Sequence, residues 1–140
     1  MPIRRRLGKG RFYLKILLIE DSRFLRMGIE RVLTKAGHSV IGVADGREGL
    51  HAAHSDSPAL ILLDMMLPGL DGTSVLKALK QDASTAQIPV VVLTGLSQRN
   101  EERLRGAGAA AYIEKSSLRL DENADALIQS VENALRSQSH

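Results

Sequence analysis

Residues 59–72 read Ala-Leu-Ile-Leu-Leu-Asp-Met-Met-Leu-Pro-Gly-Leu-Asp-Gly. Residues 59–63 are apolar without a break, as in a strand covered on both faces of a parallel sheet, rather than the alternation of a half-solvated strand. The run stops at Asp64, and Pro68-Gly69 and Asp71-Gly72 mark a loop. A carboxylate therefore stands where a buried strand leaves the sheet.

The same pattern recurs to either side. Leu14-Lys15-Ile16-Leu17-Leu18-Ile19 ends at Glu20-Asp21, Ser39–Val43 forms a second run, Pro89–Leu93 closes with Thr94-Gly95, and Ala109–Ile113 ends near Lys115. Helical spacing fills the gaps. Ser22 is placed to cap a helix carrying Leu25, Ile29, Val32, Leu33 and Ala36, which Gly37 stops. Further helices are expected over about 47–55, 73–81, 98–105 and 121–136.

Five β–α units in succession imply a parallel sheet with helices on both faces and right-handed crossovers. The expected fold is flavodoxin-like α/β, a doubly wound (βα)5 sheet with strand order 2-1-3-4-5. One domain is expected over 14–136, with a basic, flexible tail at 1–13 and a short tail at 137–140.

Composition narrows the class. With 44% apolar residues the chain supports a packed core, and with no Cys it has neither disulfides nor thiolate metal sites, as suits a reducing compartment. No apolar run approaches the ~20 residues that span a bilayer, so a cytoplasmic protein without membrane insertion is expected. The net charge of +3 is concentrated in Arg4, Arg5, Arg6, Lys9 and Arg11; the rest carries 14 basic and 16 acidic residues. No DNA-binding module is recognisable, so the tail reads as a solvated terminus and nucleic acid is not an expected partner.

The strand ends carry the chemistry. Ligands of open α/β sheets bind beyond the carboxyl ends of the strands, at the switch in strand order. Strand one delivers Glu20 and Asp21, strand three Asp64, strand four Thr94 and strand five Lys115. Three converging acids repel, and a hard divalent cation such as Mg²⁺, which takes carboxylate and phosphate oxygens, resolves the conflict. A carboxylate beside such a metal can attack phosphorus and form an aspartyl phosphate. A lysine offers a compact cation and a threonine a hydroxyl donor to the transferred group.

The spans LLIEDS (17–22), LILLDMMLPGLDG (60–72), PVVVLTG (89–95) and AAAYIEK (109–115) resemble, in order and spacing, the motifs of the bacterial two-component response-regulator receiver family. The resemblance covers about residues 14–136. It implies that Asp64 is the phospho-acceptor and Asp21 a direct Mg²⁺ ligand. Glu20 is then a metal-site acid acting directly or through water, and the backbone carbonyl of Met66 a further metal oxygen. Thr94 and Lys115 hold the phosphoryl group, and Tyr112 is the switch aromatic that reorients with Thr94.

The implied partners are a sensor histidine kinase or a histidine phosphotransfer protein, and a downstream protein target. Phosphorylation switches the surface of the fourth helix, fifth strand and fifth helix, through which the chain is a monomer or weak dimer. In this reading the chain is a phosphoacceptor with Mg²⁺-dependent self-phosphorylation and slow dephosphorylation, not an enzyme. The alternative within the fold is a pseudo-receiver that binds partners and never takes phosphate. A haloacid-dehalogenase-type phosphatase would need a second acid where Met66 stands.

Two departures from the family pattern carry expectations. Ser116 replaces the Pro that commonly follows the strand-five Lys, and the Lys115–Ser116 bond is expected to be cis so as to aim Lys115. Met66 and Leu96, two residues after Asp64 and Thr94, are apolar and cannot orient an attacking water. A long-lived phosphoryl group is therefore expected.

Overall fold

The computed structural model describes residues 5–7, 11–95, 101–118 and 125–137. Its elements are β1 (Arg5–Leu7), β2 (Arg11–Tyr13), β3 (Lys15–Ile19), α1 (Arg23–Lys35), β4 (Ser39–Val43), α2 (Gly46–Asp56), β5 (Leu60–Asp64), α3 (Gly72–Gln81), β6 (Val90–Thr94), α4 (Glu101–Gly106), β7 (Ala111–Glu114) and α5 (Asp125–Ser137). A 3₁₀ turn, Lys115–Ser117, follows β7.

Strands β3 to β7 form one parallel sheet in the order β4-β3-β5-β6-β7, the expected 2-1-3-4-5. Successive side chains of a strand point to opposite faces, so the unbroken apolar runs feed two cores. Leu14, Ile16, Leu18, Leu60, Leu62, Val91 and Leu93 pack against Ile29, Val32 and Leu33 of α1 and Leu127, Val131 and Leu135 of α5. On the other face Leu17, Ile19, Ile61, Leu63, Val90 and Val92 meet Ala52 and Ala53 of α2, Val75, Leu76 and Leu79 of α3, and Leu104 of α4. Every residue of β5 and β6 is buried, the signature of strands inside the sheet.

Local chemistry sets the helix ends. Ser22 Oγ accepts the Leu25 N–H at 3.3 Å, Asp45 Oδ1 that of Glu48 at 2.8 Å, and Asp71 Oδ1 that of Ser74 at 2.9 Å. Gly37, with φ of 102°, takes the left-handed conformation that ends α1. The Ser22 cap and this stop follow from sequence, with α2 beginning one residue earlier than expected.

Residues 5–7 and 11–13, read from composition as a flexible tail, pair antiparallel as a two-stranded ribbon separate from the main sheet. Residues 96–100 and 119–124, which hold Leu96 and the expected starts of the fourth and fifth helices, lie outside the described residues. Among the described residues no helix is long and apolar enough to cross a membrane.

Candidate functional site

The carboxyl ends of β3, β5 and β6 and the turn after β7 converge as expected. Glu20, Asp21 and Asp64 each offer a carboxylate oxygen within 4.8 Å of the others; Glu20 and Asp64 are fully buried, and Asp21 is exposed. Lys115 Nζ reaches this cluster, 2.9 Å from Asp64 Oδ1 and 3.4 Å from Glu20 Oε1, the second an ion contact without hydrogen-bond geometry.

Each acid is held from one side. Asp64 Oδ1 accepts the Met66 N–H at 3.0 Å as well as Lys115, and Asp64 Oδ2 has no hydrogen-bond partner. Glu20 Oε2 accepts the Ser22 N–H at 2.9 Å, which leaves Oε1 orphaned. Thr94 is fully buried, and its Oγ1 is orphaned too. Buried polar atoms are nearly always paired, so three orphaned oxygens on one sheet edge mark a place shaped for something besides protein.

The electrostatics agree. Burial, with the Asp64 charge beside it and despite the Ser22 amide, pushes the Glu20 carboxyl from 4.5 up to about 7. Burial pulls the Lys115 ammonium down, but its hydrogen bond and attraction to Asp64, with Glu20 adding to them, lift it above 10.5. The lysine therefore stays charged, and the acids are short of positive charge. A hard cation bound through oxygen would satisfy the orphaned Glu20 Oε1 and Asp64 Oδ2, so the donor set fits a divalent metal.

The Lys115–Ser116 bond is not cis, since no cis peptide occurs among the described residues. The 3₁₀ turn at Lys115–Ser117, closed by Leu118 N–H to Lys115 O at 3.1 Å, aims the lysine with trans bonds throughout. The cost of roughly 3–4 kcal/mol for a non-proline cis bond is thus avoided. Tyr112 is half-buried and aligned with Val92, so it faces the same side of the sheet as Thr94 two residues further along β6.

Sequence reading missed two supports. Gly72 packs its backbone on the acceptor loop: a Cβ there would lie 2.6 Å from Asp64 O, and its N–H donates to Met65 O at 3.3 Å. Arg26 Nη1 donates to Glu20 O at 2.8 Å, from a helix position that reads only as a solvated cation.

Residues 16–131 match the family described as the response regulator receiver domain. The chain belongs to the response regulator receiver domain family. It is thus a receiver domain of two-component systems, a class whose members act as phosphoacceptors. It is 41% identical to the transcriptional regulatory protein HprR of Escherichia coli over 104 residues, 73% of this chain and 45% of HprR. It is 38% identical to the transcriptional regulatory protein PdtaR of Mycobacterium tuberculosis over 103 residues, 72% of this chain and 49% of PdtaR. The receiver domain thus spans under half the length of these curated relatives. Its fold overlays the receiver domain of a Francisella response regulator with a TM-score of 0.77 at 26% identity, covering 90% of this chain and 99% of that one.

Proposed function

We propose that this receiver domain takes a phosphoryl group on Asp64 from a phosphohistidine of a sensor histidine kinase or a histidine phosphotransfer protein. The observation that carries this reading is the buried, half-orphaned Asp64 carboxylate with Lys115 Nζ at 2.9 Å and the unpaired Thr94 hydroxyl on the same sheet edge.

Glu20, Asp21 and Asp64, with the Met66 carbonyl, would hold Mg²⁺. A bound Mg²⁺ offsets the negative charge of the transferring phosphoryl group. The Asp64 carboxylate attacks phosphorus; the new O–P bond forms as the N–P bond to the donor imidazole breaks. Lys115 keeps its proton throughout and stabilises the charge on the equatorial oxygens. Thr94 turns its hydroxyl onto a phosphoryl oxygen, and Tyr112 follows into the space on the same face. The surface of α4, β7 and α5 then shifts toward a second conformer, the population change a downstream protein reads. Small phosphodonors serve the same attack, and hydrolysis is slow. Cytoplasmic location and a monomer or weak dimer through that surface complete the reading.

The test is Mg²⁺-dependent labelling by a small phosphodonor, comparing the native chain with Asp64→Ala. Label on the native chain alone supports the proposal. No label on either chain, with Mg²⁺ bound, would mark a pseudo-receiver instead.

A further inference from the structure

Four contacts fix Glu20 at the end of β3. Its backbone N–H donates to Val43 O at 3.0 Å, which continues the ladder with β4 by one bond. Its carboxylate Oε2 accepts the Ser22 N–H. Its carbonyl, which the sheet no longer serves, accepts Arg26 Nη1 at 2.8 Å. The fourth contact, Oε1 to Lys115, faces the acidic mouth. The first three anchors consume every other polar group of the residue and leave Oε1 beside Lys115, which also contacts Asp64.

The Arg26 stem lies beside Gly42 in β4. Gly42 is exposed and carries no side chain, and the Arg26 stem crosses it. A Cβ there would lie 3.3 Å from Arg26 Cδ and would fall on the Glu30 carboxylate. Arg26 is itself half-buried, in the second turn of α1, and its N–H bonds to Ser22 O at 2.8 Å. The guanidinium therefore ties the helix bearing the Ser22 cap to the strand end bearing Glu20. The turn between them, Glu20-Asp21-Ser22, supplies two of the three acids.

We propose that Arg26 is a positioning residue for the cation site: by holding the Glu20 carbonyl it keeps Glu20 Oε1 and the Asp21 carboxylate in register with Asp64. This rests on the reading of that cluster as a divalent-cation site. A net effect on affinity is not obvious from charge alone. The Arg26 cation opposes a second cation nearby, so charge removal would tighten binding, whereas loss of the strut would weaken it. Groups that orient metal ligands from behind commonly govern affinity by 10–100-fold, far more than a screened charge at the rim. The strut is therefore the larger effect.

The experiment is a titration of the intact chain with Mg²⁺ alone, followed by amide NMR shifts. Amide hydrogen exchange at residues 20–22 of the metal-free chain is measured beside it. Arg26→Ala is expected to weaken Mg²⁺ binding about tenfold and to speed exchange at those amides. Arg26→Lys, which keeps one donor, should recover most of the loss; it also keeps the question open to measurement if Arg26→Ala does not fold. Equal or tighter Mg²⁺ binding by a folded Arg26→Ala overturns the proposal, as does a drop in thermal stability with unchanged affinity. If the native chain binds no Mg²⁺, it is the cation-site reading that fails.

Discussion

Lys115 Nζ lies 2.9 Å from Asp64 Oδ1, a contact between the turn after the edge strand β7 and the end of the inner strand β5, with β6 between them. A lysine that reaches across a neighbouring strand to a buried carboxylate leaves water to do so, and the pairing compensates. Because Lys115 keeps 28% of its side chain exposed, the pair contributes less to stability than a buried one would. Its larger consequence is chemical, since it fixes a cation where phosphoryl charge develops.

Lys115→Met should therefore slow labelling of Asp64 by roughly 10²–10³-fold at saturating Mg²⁺, the range for loss of one preorganised charge-stabilising donor. Mg²⁺ affinity should hold or rise, because a competing cation has gone. Initial labelling rates and a Mg²⁺ titration separate the two effects.

The pH dependence of the metal-free chain follows from Glu20. Its carboxyl titrates near 7 when folded and near 4.5 when unfolded. Between these values the folded state binds more protons, so stability falls as pH rises through this window. The full effect is on the order of 3–4 kcal/mol, at about 1.4 kcal/mol per unit. Urea unfolding from pH 5 to 8 should show the decline, and saturating Mg²⁺ should flatten it. A flat metal-free profile would contradict the raised carboxyl.

Thr94→Val replaces a buried, orphaned hydroxyl with a methyl of similar shape. Relief of an unsatisfied group contributes about 1 kcal/mol, so the unphosphorylated chain should become more stable by that order. The phosphorylated chain loses its threonine donor, and the shift of the α4–β7–α5 surface should shrink. Paired melts and amide shifts with and without the phosphodonor read both changes.

Gly72→Ala drives a Cβ into the Asp64 carbonyl and the Met65 backbone, neither of which is a flexible chain end. We expect a loss of about 1–3 kcal/mol, the range for overpacking, and slower labelling because the acceptor loop moves. Gly69→Ala is a poor control, since Gly69 has φ of 71° and is strained for another reason. Gly95→Ala meets open space and should cost little.

Met66 is 60% exposed beside the acceptor and carries no group able to orient water. Met66→Gln should shorten the lifetime of phosphorylated Asp64, measured by loss of label after the donor is removed. A native half-life of seconds would contradict the proposed slow hydrolysis.

The sequence alone determined the alternation of strands and helices, because apolar runs such as Leu60–Leu63 and helical repeats such as Ile29, Val32 and Leu33 report which faces meet a core. It also determined which residue types stand at strand ends, and hence the roles proposed for Glu20, Asp21, Asp64, Thr94 and Lys115. It misread the bond after Lys115 and was silent on the backbone clearance at Gly72 and on the Arg26 contact. A peptide-bond isomer, a backbone clearance and a guanidinium reaching a carbonyl depend on where other elements sit in space, and local pattern carries no record of that. Only the tertiary structure decided which carboxylate oxygens are paired and which stay orphaned, because that depends on how β3, β5, β6 and the turn after β7 exclude water from one shared edge.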